Sequence, residues 1–271
     1  MSKQAGLGFL DWKVNSTIMA SDRDSRASKV SRLHVFGDSH ASACFDRFAD
    51  ADIYWLGPVT MHRVARDGAD FVAQVTEANQ SDLFVFVFGE IDVRCHVGRI
   101  ADIQGVARAT LVADLVSRFV ERIRLSMSGR DGRVVICSVV PPSDFREDPN
   151  FPTYGTLEDR VAITVMMNSA LRAAADEFGV IFLDFSRFYA DRAGRLRMSR
   201  SDGAVHIGLD HTRQIRNELA RVVGEPVRYR WDLWWRSWLY WPVERILSYT
   251  YPRAMWRFNR SHVNVRTRMK A

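Results

Sequence analysis

The sequence predicts an α/β fold built on a doubly wound parallel sheet, and three observations lead there. Five short, nearly continuous apolar runs are spread through the middle of the 271-residue chain. Longer stretches with helical apolar spacing lie between them, and glycines and ionisable residues gather just after the runs. Buried parallel strands read as unbroken apolar runs because helices cover both faces of the sheet. Alternation of such strands with helices, joined by right-handed crossovers, gives a doubly wound sheet.

The strand candidates are residues 33–36 (LHVF), 53–56 (IYWL), 83–88 (LFVFVF), 134–140 (VVICSVV) and 180–185 (VIFLDF). Residues 101–127 place Ile103, Val106, Leu111, Leu115, Phe119, Val120, Ile123 and Leu125 largely on one side, which predicts a single helix. Residues 157–178 repeat the pattern with Leu157, Val161, Val165, Met166, Ala170, Leu171, Ala174 and Phe178, and Gly179 supplies a stop. Residues 210–223 read as a last helix. Open parallel sheets bind ligands just beyond the C-terminal ends of their strands, so the loops there are where chemistry is expected.

Composition bounds the rest. At 47% hydrophobic and 26% charged, the chain suits one large core with extensions. Cys44, Cys95 and Cys137 form no C-x-x-C pair and give neither a disulfide framework nor a zinc pattern, which fits a reducing compartment. Residues 1–31 lack an apolar core of signal-peptide length and read as a flexible leader; no uncharged apolar run of spanning length occurs. A cytoplasmic location follows as the expectation. The net charge of +6 is uneven: residues 227–271 hold nine Arg and one Lys against Asp232 and Glu244, so this segment carries +8 and the remainder −2.

Six of the eight tryptophans also fall in that segment, between Trp231 and Trp256, and Trp231, Trp234, Trp235, Trp238 and Trp241 fit one helical stripe as far as Pro242. Such a segment can pack on the domain or in a homodimer. It can also lie in a membrane interface, with Trp and Tyr at headgroup depth and Arg on anionic lipid. Single-stranded nucleic acid, which also suits Arg and aromatics, is the less favoured partner. The domain reading is therefore 1–31 leader, 32–226 α/β domain and 227–271 Trp/Arg-rich extension, with the oligomeric state open.

The strand ends supply the candidate site. The first run ends Gly37-Asp38-Ser39-His40, and Ser39 there can cap a helix or act as a nucleophile. The second ends in LGPVTMHR, where Gly57 can expose a backbone N–H or simply mark a turn, followed by His62 and Arg63. The third ends GEIDVRCH, placing Glu90, Asp92, Arg94 and His96 within seven residues, as a salt-bridged loop or a polar binding edge. Near the end of the fold, SRSDGAVHIGLDHT supplies His206 four residues after Asp202, then Asp210 and His211. A nucleophilic serine needs a general base, and the base needs a partner that fixes its tautomer. His206 with Asp202 can fill these roles; His211 as base and Asp210 as acid are the alternatives. No P-loop and no dinucleotide-binding glycine pattern occurs, no paired metal-ligand spacing accompanies the acids and histidines, and no cofactor or metal is expected.

Over residues 32–224 these blocks resemble, in order, those of the GDSL or SGNH hydrolase family. Gly37-Asp38-Ser39-His40 matches G-D-S-L in three of four positions, Gly57 resembles the second-block glycine, and Gly89-Glu90-Ile91-Asp92 matches G-x-N-D in its glycine and aspartate. Asp202 and His206 approximate D-x-x-H with one residue too many between them. The resemblance implies a flavodoxin-like three-layer α/β/α sandwich with a five-stranded parallel sheet, and hydrolysis or transfer of acyl esters. Residue by residue, it implies Ser39 as nucleophile, His206 as base and Asp202 as its orienting acid. It places Gly57, Gly89, Asp92, Arg94, His96, Asp38 and His40 on the oxyanion or substrate side.

Ile91 stands where the family has an oxyanion-donating asparagine. That leaves Arg94 or His96 as substitute donors, a changed reaction, or a catalytically inactive module that binds a sugar or nucleotide-sugar. The charged GEIDVRCH loop favours a polar substrate such as an acylated carbohydrate, with water as acceptor in an esterase and a sugar hydroxyl in an O-acyltransferase. GEID-type variants are also associated with surface-polysaccharide biosynthesis.

Overall fold

The computed structural model describes residues 30–143 and 152–230. The chain enters through β1 (Leu33–Gly37), α1 (Ser39–Phe45), β2 (Ala51–Trp55) and α2 (Met61–Asp67). It continues through β3 (Leu83–Val87), α3 (Val97–Gln104), α4 (Arg108–Ser126) and β4 (Arg133–Cys137), and closes with α5 (Leu157–Phe178), β5 (Ile181–Leu183) and α6 (Arg213–Val223). All pairings are parallel, in the strand order β2-β1-β3-β4-β5. β1 and β3 sit at the centre with every residue buried, which is why their sequences run apolar without alternation.

The two-residue period still sorts side chains between two cores. Phe36, Phe84, Phe86 and Ile136 face one way, onto Met61 and Val64 of α2, Val116 and Phe119 of α4 and Met167 of α5. Leu33, Val35, Leu83, Val85, Val135 and Cys137 face the other, onto Ala41 and Phe45 of α1 and Ile215 and Leu219 of α6. Phe36 anchors the first core by stacking on Tyr54 at 4.6 Å and Phe86 at 5.6 Å.

The helices follow their capping signals. α5 opens on a capping box in which Thr156 and Asp159 satisfy each other's backbone N–H groups, and ends at left-handed Gly179, so its bounds equal those expected. The helix expected over 101–127 is two helices, because Gly105 adopts a left-handed conformation (φ +65°) and ends α3. Three residues assigned to its buried side, Ile103, Val106 and Leu125, are exposed, as is Val165 in α5. The last helix begins at Arg213, after a 3₁₀ turn at Leu209–His211.

At the edges of the domain, Val30 is buried and Ser31 N–H donates to the Ser81 carbonyl. Val227 is buried, Tyr229 bridges Phe48, and Arg230 N–H donates to the Arg47 carbonyl, so residues 227–230 pack on the α/β domain. The remaining leader and the Trp/Arg-rich stripe from Trp231 onward lie outside the described residues.

Candidate active site

The site begins with a close approach of backbone. Gly37 pairs with Val87, and a Cβ on it would stand 2.3 Å from the Val87 carbonyl oxygen, so only glycine lets β1 run this close to β3 at its last residue. The chain then turns into α1. Asp38 caps this helix, accepting from His40 N–H at 2.8 Å. Ser39 takes the first helical position with its side chain exposed at the C-terminal edge of the sheet. Its own N–H lies in the first turn, where no intrahelical carbonyl is available to it.

His206 arrives from the far side of the fold, between β5 and α6, and its Nε2 lies 2.8 Å from Ser39 Oγ. Its Nδ1 lies 2.8 Å from Asp202 Oδ2. With the Nδ1 proton held by the carboxylate, Nε2 is left as the acceptor for the serine hydroxyl. The extra residue between Asp202 and His206 is absorbed in a turn: Asp202 Oδ1 accepts from Ala204 N–H at 2.9 Å and His206 N–H at 3.3 Å, and Gly203 takes φ +93°. The alternatives lie elsewhere: Asp210 pairs with Arg47 at 2.7 Å, and His211 sits in a 3₁₀ turn with its carbonyl accepting from the Tyr189 hydroxyl.

Charge tunes the pair. Burial pushes the His206 pKa down, but Asp202, then Glu90 and Asp38, push it up further, and the net direction is upward. Burial pushes Asp202 up, yet His206 and the backbone donors pull it down overall.

The GEIDVRCH segment is helical, not a loop. It contains a π-helical turn at Asp92–His96 that runs straight into α3. Glu90 is buried and receives Arg94 Nε at 2.7 Å, while Arg94 Nη1 donates to the Pro152 carbonyl at 2.9 Å. The substitute oxyanion donor expected at Arg94 is therefore already engaged in ionic and backbone contacts. His96 ends the π turn, half-buried, its pKa lowered by burial and by nearby Arg99.

Asp92 is fully buried and accepts from Met61 N–H at 2.7 Å and His62 N–H at 3.1 Å. It satisfies the first N–H groups of α2 from across the fold. Burial lifts its carboxyl to about 7, against the pull of those donors. Gly89 is likewise a packing residue: at φ +110°, a Cβ there would stand 2.7 Å from Val139 Cγ2.

Gly57 does sit in an open position. It adopts φ +74° with nothing within 4 Å of a Cβ placed on it, and the adjoining Leu56 N–H donates to the Gly37 carbonyl at 2.9 Å, tying this loop to the serine turn. Asp92 clamps the far end of the same loop. Replacing Asp92 with Asn leaves one amide facing an N–H as donor against donor, and is expected to cost about 1–3 kcal/mol in chemical denaturation.

A parallel sheet in 2-1-3-4-5 order, with serine, histidine and aspartate hydrogen-bonded in series at its C-terminal edge, defines an α/β protein with a hydrolase-type serine relay. Its fold is that of the SGNH hydrolases. Among solved structures, a Bacteroides fragilis protein assigned as an acylhydrolase is similar over 72% of this chain and 86% of its own, at 14% identity and a TM-score of 0.51. A GDSL-like lipase from Bacteroides thetaiotaomicron (13% identity, 72% of this chain, 86% of its own) and an aryl esterase from M. smegmatis (16%, 72% and 98%) align with TM-scores of 0.48. At such identities the likeness speaks for the fold. No protein-family model matches the sequence, and no curated protein is similar to it at a significant level.

Proposed function

We propose that the chain is a serine-dependent acyl esterase of SGNH type. The observation that carries this reading is the unbroken series Ser39–His206–Asp202, with both contacts at 2.8 Å. A site kept only for binding has no need of a hydroxyl, an imidazole and a carboxylate aligned in this order.

Ser39 Oγ attacks the acyl carbonyl carbon while its proton passes to His206 Nε2. The tetrahedral intermediate collapses, the C–O bond to the leaving alcohol breaks, and that oxygen takes the proton from His206. Water then attacks the acyl-serine, giving its proton to His206, and the carboxylic acid leaves as Ser39 is restored. A sugar hydroxyl in place of water makes the same cycle an acyl transfer. The developing oxyanion is held by the N–H groups of Ser39 and Gly57. Isoleucine at position 91 supplies no side-chain donor, and a site that lacks one loses on the order of 10²–10³ in rate relative to a site that has one.

The polar surroundings, Glu90, Arg94 and Asp38, favour a polar ester, and we assign the substrate to the O-acylated carbohydrates. A fluorophosphonate probe is expected to form one adduct, on Ser39; a protein left unlabelled at any pH would overturn the esterase reading. The basic, tryptophan-rich residues 227–271 would place this chemistry at an anionic membrane surface. Flotation with anionic liposomes is expected for the full chain and not for one ending at residue 230. No helix among the described residues is long and apolar enough to cross a membrane.

A further inference from the structure

His40 stands where the G-D-S-L block has leucine, and the catalytic series described above makes no use of it. Its side chain is 2% exposed, and its ring lies 4.6 Å from the His206 ring, tilted by 49°. On its other side, Nε2 faces Glu90 Oε2 at 3.6 Å. Glu90 Oε1 belongs to Arg94. His40 is thus in contact range of both the ion pair and the base. Among the described residues neither ring nitrogen has a hydrogen-bond partner, so the approach to Glu90 is an ion-pair contact a little longer than a hydrogen bond.

We propose that His40 is a positioning residue for the base: its ring engages the second oxygen of Glu90, keeps that carboxylate off His206, and so sets how readily His206 accepts the serine proton. The inference rests on the esterase reading given above.

The physical reason is the number of acids around one imidazole. His206 has Asp202 in contact, with Glu90 and Asp38 beyond it, and every one of these favours the imidazolium. A base that holds its proton cannot take another. Arg94 offsets part of the Glu90 charge through Oε1. The other oxygen faces His40, and that carboxylate is held well below the usual range: burial pushes it up, while His40 and Arg94 together pull it down further. A leucine in this position would put only hydrocarbon between Glu90 and His206. In such a low-dielectric path the carboxylate would act on the base at greater strength.

The charged and titratable groups facing this pair come from each surrounding segment. They are Asp38 at the end of β1, Glu90 and Arg94 after β3, and Asp202 in the His206 loop. His40 itself touches both the Glu90 carboxylate and the ring of the base.

The test is the pH dependence of Ser39 labelling by a fluorophosphonate, with His206 followed in parallel by NMR titration of its ring carbons. In His40→Leu, the pH at which labelling reaches half its plateau moves up and the His206 titration moves with it. In Glu90→Gln, both move down. His40→Gln, which keeps an N–H for Glu90, stays close to the parent, and His40→Leu with Glu90→Gln loses the upward shift.

A slower reaction at every pH with unmoved midpoints would make His40 a packing residue and overturn the proposal. So would a Glu90→Gln midpoint that rises, a result that decides the matter even if His40→Leu does not fold. A parent protein that resists the probe would count against the esterase reading alone, because the NMR titrations of parent and variants still decide the role of His40.

Discussion

Ser39→Ala is expected to lower turnover of small acetyl esters and acetylated sugars by about 10⁵- to 10⁶-fold, the scale of loss when the nucleophile of a serine relay is removed. The reason lies in the order of contacts. His206 Nε2 has Ser39 Oγ as its partner, and Asp202 exists in this site to hold the other ring nitrogen. Without the hydroxyl, both have nothing to act on, and what survives is the stabilisation offered by the Ser39 and Gly57 N–H groups. The fold should scarcely notice, because the Ser39 side chain is exposed and the cap of α1 is made by Asp38. The check is turnover measured beside thermal unfolding: equal activity in the variant rejects the serine mechanism, and an unchanged melting temperature shows that any loss is chemical.

How much of this could be read from residues alone depends on how local each signal is. The five strands announce themselves because a buried parallel strand must be apolar on both faces, and α5 because its periodicity runs unbroken to Gly179. The break at Gly105 hides inside a stretch whose apolar period continues on both sides; a single left-handed residue ends the first helix and turns Ile103 and Val106 outward. α1 and α2 are seven residues each, too short for an amphipathic pattern to stand out. The relay could be proposed from Ser39, Asp202 and His206 because a base four residues after its acid closes in one turn, whatever the rest of the chain does.

The partners of Asp92 are illegible for the opposite reason. They are backbone N–H groups 30 and 31 residues earlier, and no side-chain pattern marks them. Nor did the GEIDVRCH composition reveal that it is helical, since the i,i+4 pairing of Glu90 with Arg94 is as compatible with a charged loop as with a π-helical turn. His40 is the least legible of all. Its interest comes from a ring contact with a histidine 166 positions away in sequence, and only the assembled sheet edge brings the two together.

Asp202→Asn separates the tautomer from the geometry of the base. Asparagine can keep the turn, since its carbonyl can still accept from the Ala204 and His206 N–H groups that Asp202 Oδ1 now serves. Its amide then faces His206 Nδ1 as a donor, so the imidazole presents an acceptor there and carries its proton on Nε2, toward Ser39. In that form the base cannot take the serine proton, and the rate is expected to fall by about 10²- to 10⁴-fold. The pH profile moves as well, with a sign fixed by the charges. In the parent, activity requires neutral His206 and is lost as pH falls through a pKa that Asp202, with Glu90 and Asp38, holds above the ordinary histidine value against the opposing pull of burial. Removing the Asp202 charge leaves burial with less to oppose it, so the acid limb of kcat/KM shifts to lower pH while the plateau drops. A variant whose acid limb stays in place, or rises, would show that the titrating group in the profile is not His206, and the base would then have to be sought outside this relay.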